Sequence, residues 1–311
     1  MGHQNLFRNA PRALRGCVLE LQRKIRIFEP NRRQVLSLGG GLLCGVESVL
    51  AQEPSPWEKI KLRGALKVAV YKDNAPYSDG SDSDVRGVDV SLARALATKL
   101  GLQVAWLPFD AGENVNDDLR NMVWKGHYLG YGPADVMMHV PVDRYLMDQN
   151  KQVLIFAPYV KEQFVLLHQK SKQPNVNTPE DLPGQSIGAE MGSGAASTMM
   201  GYGAGLVRDK VVLFQDGLQA ARAAISGQVN VAYVSRAQAE AALHMAGAKG
   251  DWALSSLNIP SAISMGWSVG MAVKSDNPTL AAALDDALQA LRKSGELLKI
   301  FDAQGLTLLP P

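Results

Sequence analysis

Cysteine is almost absent from this chain of 311 residues, and its two cysteines, Cys17 and Cys44, both fall within the first 51 residues. The rest of the chain therefore has neither a disulfide nor a thiolate metal site. Histidine is also scarce, and its five copies show no spacing typical of a zinc site. We expect the fold to depend on core packing, without a metal or a cofactor.

A long uninterrupted apolar run is missing too, although residues 35–50 come close. A membrane-spanning helix needs roughly 20 apolar residues, and glycines, Cys44 and Glu47 interrupt this segment. Basic residues precede the run, and it ends with the small residues Val49 and Ala51. This pattern is typical of an export signal, so the sequence predicts a periplasmic protein that is cleaved after Ala51.

The arginine pair ahead of this run leaves the export route open. Arg32-Arg33, followed by Val35 and Leu36, resembles a twin-arginine signal, which implies export in the folded state. An ordinary secretory signal that happens to contain two arginines explains the same residues. Residues 1–51 are a leader under either interpretation.

Excess positive charge is confined to this leader. The whole chain has a formal net charge of +2, but residues 1–51 hold 8 of the 32 Lys/Arg and only 3 of the 30 Asp/Glu. Their removal leaves 24 basic and 27 acidic residues, a net charge of −3. Without a basic patch, we expect no nucleic-acid partner.

Short apolar strands alternate with helical segments along the remaining chain. Leu66–Tyr71 is apolar and β-branched, as in a buried strand, and the apolar spacing from Val90 to Leu100 predicts a helix that Asp89 caps. The alternation restarts near residue 185, which indicates a second α/β lobe. Further strands are predicted at 103–107, 134–140, 153–158, 164–168, 185–189, 210–214, 229–234 and 268–273, and further helices at 116–125, 195–201, 217–226 and 278–294.

Five segments carry a family resemblance: Leu66–Tyr77, Gly87–Asp89, Ala134–Met137, Phe156–Tyr159 and Gly270–Phe301. In their order and spacing they resemble the periplasmic solute-binding proteins of the amino-acid-binding type. The resemblance implies the α/β type II periplasmic binding protein fold, in which two lobes, each a mostly parallel sheet flanked by helices, are joined by two crossing strands and close on a ligand. The implied boundaries are 58–160 plus 270–311 for lobe 1, 161–269 for lobe 2, and crossings near 159–164 and 265–270.

Several residues match the family positions that hold a ligand between the lobes. The segment Asp73–Tyr77 follows a strand's carboxyl end, where open α/β sheets bind ligands, and Tyr77 matches the aromatic residue that faces the ligand. Packing of Tyr77 on its own lobe is the alternative. The turn Gly192-Ser193-Gly194 after Glu190 matches a turn that holds an anion at a helix N-terminus, with a simple serine cap as the alternative.

Two family positions do not match. Asn150, beside Lys151, replaces the arginine that grips a substrate carboxylate, and Arg144 is an alternative cation that the spacing does not assign. Ser235 replaces the aspartate that binds an α-amino group. Because a buried ammonium without a partner is costly, the sequence disfavours a free α-amino acid as the ligand.

The segment Asp118–Asp143 further resembles a divergent family branch that is encoded beside pyrroloquinoline-quinone-dependent methanol or alcohol dehydrogenases and their cytochromes. This resemblance implies a non-catalytic accessory or chaperone-like partner of a periplasmic quinoprotein dehydrogenase or its cytochrome c. Core and loop packing is the alternative for the residues that it suggests as contact surface or cleft lining. These residues are Trp106, Trp124, His127, Tyr128, Tyr131 and His139.

Two other functions stay open. One is the solute-binding component of an ABC transporter, which passes a small polar ligand other than a standard α-amino acid to a membrane permease. The other is a dehydratase-like enzyme on the same fold, with Glu113 or Glu190 as its proton-transferring carboxylate. The acidic loop Asp79, Asp82, Asp84 lacks the order of a calcium site, and no serine-hydrolase motif is present.

The sequence therefore predicts a binding protein with no catalytic residue and no metal ligand. Its candidate ligand-binding residues are Asp73, Tyr77, His139, Arg144, Glu190, Gly192, Ser193, Gly194 and Ser235.

Overall fold

Two five-stranded sheets form the framework of the computed structural model, which describes residues 53–81, 83–173, 175–182, 184–248, 250–259 and 266–311. The predicted leader, with its arginine pair and its cleavage site at Ala51, lies outside these residues, and so do Asp82 and the start of the second predicted crossing. Within the described ranges, no helix has both the length and the apolar character that crossing a membrane requires.

The strands are numbered along the chain. They are β1 Ala65–Tyr71, β2 Asp73–Asn74, β3 Ser78–Asp79, β4 Gln103–Phe109, β5 Val136–Pro141, β6 Val153–Glu162, β7 Phe164–Gln169, β8 Ile187–Glu190, β9 Val211–Phe214, β10 Val231–Ser235, β11 Trp252–Ser255 and β12 Trp267–Lys274.

The α-helices are numbered in the same way. They are α1 Pro56–Arg63, α2 Val88–Lys99, α3 Val115–Leu119, α4 Arg144–Gln149, α5 Gly194–Gly201, α6 Gly217–Ile225, α7 Arg236–Met245, α8 Pro278–Lys293 and α9 Glu296–Asp302. A wider π-helical turn, Arg120–Trp124, continues α3, and short 3₁₀ turns cover Pro179–Asp181, Tyr202–Ala204 and Arg208–Lys210.

The first sheet has the strand order β4-β1-β5-β12-β6. β1 runs parallel to β4 and β5, whereas β12 runs antiparallel to β5 and β6. We call this sheet, with α1 to α4, α8 and α9, lobe 1.

The second sheet has the order β11-β7-β10-β8-β9 and, with α5 to α7, forms lobe 2. β8 runs parallel to β9 and β10, whereas β7 runs antiparallel to β10 and β11. The predicted α/β fold with two sheets is thus confirmed, and each sheet combines two parallel with two antiparallel pairings.

A single residue, Gln163, separates β6 of the first sheet from β7 of the second. Its carbonyl accepts a hydrogen bond from the backbone N–H of Arg236, at the start of α7. On the other side, β12 pairs with the end of β6, with Trp267 opposite Glu162. The lobes therefore meet along the end of β6.

Helix α8 shows how the sequence pattern produces lobe 1. Asn277 caps its N-terminus, Pro278 follows as its first residue, and leucines recur at helical spacing on one face. Burial of each leucine stabilises the fold by about 1.5–3 kcal/mol relative to exposure. The buried leucines of α8 are Leu280, Leu284, Leu288 and Leu291.

Helix α2 begins differently from the prediction. Gly87 is its N-cap, and Asp89 lies inside the first turn with its side chain fully buried. The backbone N–H of Asp89 donates to the carbonyl of Tyr77 at 2.8 Å. A Cβ on Gly87 would lie 2.3 Å from that carbonyl oxygen, and φ is +120°, so only glycine permits this close approach. Asp89 does not cap the helix because Tyr159 and His139 bind its carboxylate.

Candidate functional site

A cleft between the lobes contains two adjoining cavities of about 590 and 360 Å³. Asp73 of lobe 1 and Glu190 of lobe 2 line both of them. Lobe 1 contributes the segments that follow β1 and β4 and part of β5, and lobe 2 contributes the end of β8 and the start of α6. The candidate site thus lies at the carboxyl ends of parallel strands, where open α/β sheets bind ligands.

The larger cavity is rich in acidic side chains. Arg86 donates to Asp79 at 2.7 Å and to Asp84 at 3.1 Å, and Arg222 Nη2 lies 2.9 Å from the sulfur of Met245. Arg86 is therefore ion-paired within the protein, whereas Arg222 contacts a thioether sulfur, which leaves its charge uncompensated among the described residues. The carboxylates of this lining are Asp73, Asp79, Glu190 and Asp216.

This arrangement also explains the acidic loop of the sequence. Asp79 and Asp84 hold the guanidinium of Arg86, so a cation would have to displace it. Among the described residues, no group of three or more His, Cys, Asp or Glu side chains is arranged to hold a metal ion.

The smaller cavity has a buried carboxylate at its edge. Asp118 accepts hydrogen bonds from the hydroxyl of Tyr71 at 2.9 Å and from the backbone N–H of Gly112 at 2.7 Å. Burial raises the pKa of Asp118, and burial together with the nearby Asp118 charge raises the pKa of Tyr71. Asn74 lines the same cavity, and its buried Nδ2 has no hydrogen-bond partner.

Glu190 is held in place across the cleft from Asp73. One of its carboxylate oxygens accepts from the backbone N–H of Gly217 at 3.0 Å and from Gln238 Nε2 at 2.9 Å. Asp73 is exposed, and no described side chain or backbone group donates to its carboxylate. A fixed carboxylate on one lobe therefore faces a free one on the other.

In the predicted anion-binding turn, the side chain of Ser193 forms its hydrogen bonds with neighbouring backbone groups. Ser193 Oγ accepts from the N–H of Ala196 at 3.2 Å and donates to the carbonyl of Glu190 at 2.7 Å. Gly192 adopts φ +77°, and Gly194 begins α5. None of the three turn residues lines either cavity, so a simple serine cap accounts for their contacts.

Neither Arg144 nor Lys151 takes the place of the missing family arginine. Asn150 is buried and donates to Asn116 Oδ1 at 2.6 Å and to the carbonyl of Leu146 at 2.9 Å. Arg144 is exposed at the start of α4 and has no hydrogen-bond or ion-pair partner, and Lys151 pairs with Asp148 at 2.6 Å. Neither basic residue lines the cavities.

The inner end of the cleft is filled by the chain itself. The hydroxyl of Tyr77 donates to Glu162 Oε2 at 2.9 Å, and both side chains are buried. Ser235, the N-cap of α7, accepts from the backbone N–H of Gln238 at 3.3 Å. Glu162 therefore binds the hydroxyl of Tyr77, one of the positions that the family resemblance assigns to ligand contacts.

A second buried carboxylate adjoins this group. Asp89 accepts from the hydroxyl of Tyr159, and its other oxygen lies 3.0 Å from His139 Nδ1. The His139 ring contacts the Tyr77 ring at a centroid distance of 4.3 Å. His139 also lines the smaller cavity, with a backbone φ of +61° that is unusual for a strand residue. It connects the cleft with the buried Tyr77–Glu162 pair.

Asp118 and Glu162 were not among the predicted site residues. In the sequence, Asp118 is only the first residue of the segment that resembles the dehydrogenase-associated branch, and Glu162 follows Lys161 at the end of β6, where a glutamate normally faces solvent. The alternation along β6 places Glu162 on the same face as the buried Val160. That periodicity was the available signal for Glu162.

The histidine and tyrosines of the segment 127–131 form an exposed cluster. His127 stacks on Tyr131 at 4.3 Å and lies 4.3 Å from the ring of Tyr128. Tyr128 is 87% exposed and Leu129 68% exposed. Trp106 and Trp124, which the sequence also suggested as contact surface or cleft lining, are partly buried and pack against the hydrophobic core of lobe 1.

No protein-family model matches this chain. An ancestral cationic amino acid solute-binding protein, AncCDT-1, has a similar structure, with a TM-score of 0.63 and 21% identity over 81% of this chain and all of that protein. The fold is that of a type II periplasmic binding protein. A polar amino acid ABC uptake transporter substrate-binding protein from Streptococcus thermophilus superposes with a TM-score of 0.61 and 19% identity, over 83% of this chain and 92% of that one.

A curated relative matches a shorter stretch. It is the membrane-bound lytic murein transglycosylase F of Vibrio parahaemolyticus serotype O3:K6 (strain RIMD 2210633), which is 34% identical over 85 residues. The match covers 27% of this chain and 16% of the transglycosylase, so this chain spans only a small part of that relative.

Proposed function

We propose that this chain is a non-catalytic periplasmic binding protein whose lobes hold a small cationic ligand that carries no carboxylate. The single observation behind this proposal is the lining of the cleft. Asp73 and Glu190 face the cavities from opposite lobes, and carboxylates outnumber arginines in the described lining, where Arg86 is already ion-paired.

The charge balance of the cleft favours a cation. Five carboxylates and two arginines line the two cavities within the described residues. An ammonium or guanidinium group that donates to Asp73 and Glu190 would form charge-assisted hydrogen bonds, which are roughly twice as strong as neutral ones. Ser235 replaces the family aspartate, so a bound ammonium would lack its partner at that position. Asp73 and Glu190 provide a partner for it elsewhere in the cleft.

A ligand carboxylate finds fewer partners, because Arg86 is ion-paired and Arg222 is left as the other lining arginine. Asn150 is committed to Asn116 and Leu146, and Arg144 lies outside both cavities. A carboxylate in the cleft would meet Arg222 but also five carboxylates, and like charges at close range are destabilising. This argument separates an amine or a guanidine from the corresponding amino acid. The proposed ligand shares a cationic group with the amino acids in the name of the similar ancestral protein, but it lacks their carboxylate.

Matched pairs of ligands test this proposal. We would titrate the processed protein with agmatine and arginine, and with cadaverine and lysine, by calorimetry and thermal unfolding. Each pair differs only in the carboxylate, and a ligand at 100 times its Kd should stabilise the fold by about 2.7 kcal/mol. We expect the decarboxylated member to bind more tightly in both pairs; tighter binding of arginine than of agmatine would contradict the proposal.

Variants at the cleft locate the site. Asp73→Asn and Glu190→Gln each remove one charge and should weaken agmatine binding about tenfold or more, because a hydrogen bond to a charged group contributes about 1.5–3 kcal/mol. Glu113→Gln is the matched control, since Glu113 is exposed and lines neither cavity. The protein would then release its ligand to a membrane permease, as transporter-associated binding proteins do.

The exposed aromatic cluster favours a second candidate function, the accessory role beside a quinoprotein dehydrogenase or its cytochrome c. His127, Tyr128 and Tyr131 lie in the segment that resembles the dehydrogenase-associated branch, and Tyr128 is almost fully exposed. Tyrosines with one free face are typical of binding hot spots.

A binding experiment with the purified dehydrogenase of the same organism tests this role. We expect co-elution with this chain and its loss in Tyr128→Ser, whereas Tyr145→Ser, at another exposed tyrosine outside the cluster, should bind normally. Equal binding by both variants, or no binding by the unmodified chain, would contradict the accessory role.

A further inference from the structure

We propose that residues 303–309, which we call the C-terminal strap, form a third link between the lobes that restrains opening of the cleft. The chain itself passes between the lobes twice, after β6 and again before β12. The strap follows α9 of lobe 1 and lies against α7 of lobe 2. This link concerns the ligand-free protein and does not rest on the proposed function.

The strap is fixed to lobe 1 at both of its ends. Near its start, Leu306 donates its backbone N–H to the carbonyl of Phe301, in α9, at 3.0 Å, and the Leu306 side chain is only 3% exposed. At its end, the carbonyl of Leu309 accepts from the backbone N–H of Lys161, on β6, at 3.0 Å. The strap should therefore move with lobe 1.

Between these ends the strap contacts α7 at two places. The backbone N–H of Thr307 donates to Glu240 Oε2 at 2.7 Å, and the other oxygen of Glu240 accepts from Arg236 Nε at 2.8 Å. Gly305 lies so close to His244 that a Cβ on this glycine would be 2.3 Å from the ring carbon Cγ. One hydrogen bond and one backbone contact thus join the strap directly to lobe 2.

The two contacts lie at different distances from the joint between the sheets. Arg236, the first residue of α7, donates its backbone N–H to the carbonyl of Gln163 at 2.9 Å. His244 lies near the other end of the same helix, roughly 12 Å from Arg236 at 1.5 Å per residue. A turn of lobe 2 about Gln163 would therefore move His244 more than Arg236, so the contact with Gly305 resists the turn most effectively.

The strap also forms part of the wall of the cleft. Gln304 lines the larger cavity together with Arg222 of α6 and Met245, the last residue of α7. The wall at this place consists of the strap on one side and lobe 2 on the other. Widening of the cavity there would separate the surfaces that Gly305 and Thr307 join, which is why we expect the strap to restrain opening.

Distance measurements between two nitroxide spin labels test the strap without any ligand. The chain beyond residue 51 has no cysteine, so Glu113→Cys and Met191→Cys would carry the only labels of the processed protein. Both positions are exposed, and each adjoins a residue that lines the cleft, Glu113 in lobe 1 and Met191 in lobe 2. We expect a short, narrow distance distribution for the protein with an intact strap.

A methyl group on Gly305 should release the strap from α7. Gly305→Ala places its Cβ against His244, so we expect the distance distribution to lengthen or broaden. Gly295→Ala is the matched control, because Gly295 has φ +74°, close to the +70° of Gly305, but a Cβ there meets nothing within 4 Å. Both variants strain the backbone and should lower the thermal stability, whereas only Gly305→Ala should change the distances.

A second variant releases the strap without backbone strain. Glu240→Ala removes the acceptor of the Thr307 N–H and should also lengthen or broaden the distribution, so the proposal stays testable if Gly305→Ala does not fold. Glu240→Gln keeps an acceptor oxygen and should resemble the unmodified protein.

Two outcomes would overturn the strap as a restraint. One is an unchanged distribution in the folded Gly305→Ala and Glu240→Ala variants, and the other is a Gly295→Ala control that opens as far as Gly305→Ala. Failure to bind agmatine would contradict the proposed function and would leave these ligand-free measurements unaffected.

Discussion

The two lobes have sheets of the same design but interiors of different chemistry. Among the described residues, the buried polar side chains of lobe 1 are Ser78, Asp89, Asp118, Asn150, Glu162 and Asn277, whereas lobe 2 has His168. Lobe 2 instead packs alanines, which make up most of the buried faces of α6 and α7. Lobe 1 should therefore be sensitive to changes of charge, and lobe 2 to changes of volume.

The largest effect should come from the charge of lobe 1. Asp89→Ala leaves the hydroxyl of Tyr159 and the ring of His139 without their buried partner. We expect the free energy of unfolding in urea to fall by about 3–5 kcal/mol, as for other broken buried pairs. Asp148→Ala, which removes an exposed partner of Lys151, should change it by less than about 1 kcal/mol. Equal losses would remove the contrast between buried and exposed charge.

A smaller effect is expected from volume in lobe 2. Ala239 of α7 is fully buried, and α7 packs against α6. Ala239→Leu should lower the free energy of unfolding by about 1–3 kcal/mol, because extra methylene groups in a packed core force side chains and backbone to shift. Ala246→Leu, at the exposed end of the same helix, is the matched control. A tolerant Ala239 site would mean that lobe 2 is not tightly packed.

The smallest effect should be a pH dependence at Asp118. Because burial raises its pKa in the folded state, the protonated form is favoured on folding, and this contribution is lost as pH rises through the folded pKa. Asp118→Asn should therefore flatten the change of unfolding free energy with pH just above the ordinary aspartate pKa, about 4. Asp110→Asn, at an exposed position, should leave the profile unchanged.

The regular parts of the fold could be predicted because their signals are local. β1 was predicted to within one residue, and α8 has a proline at its first position and a leucine stripe that identify it. Helix α7 was missed, since Ser235 was considered only as a ligand position. The capping pair of Ser235 and Gln238 is a start signal that the sequence does contain.

The site was harder to predict because its chemistry depends on contacts between distant residues. Tyr77 and Glu162 are 85 positions apart, and Asp89 and Tyr159 are 70 apart. Spacing within one segment cannot show that a strand-end glutamate becomes buried by a tyrosine from another segment. Asp73 and Glu190 could be proposed from the sequence because each lies near the carboxyl end of a strand, which places it at the edge of a sheet.

The single-residue connection at Gln163 gives the molecule a mechanical property. One extended residue spans only about 3.5 Å, so along this connection the sheets cannot separate by translation and can only turn. A turn about a short pivot moves nearby atoms little and distant atoms much. Glu162 lies next to that pivot, so a turn there would change its surroundings less than it would change the spacing of Asp73 and Glu190 across the cleft.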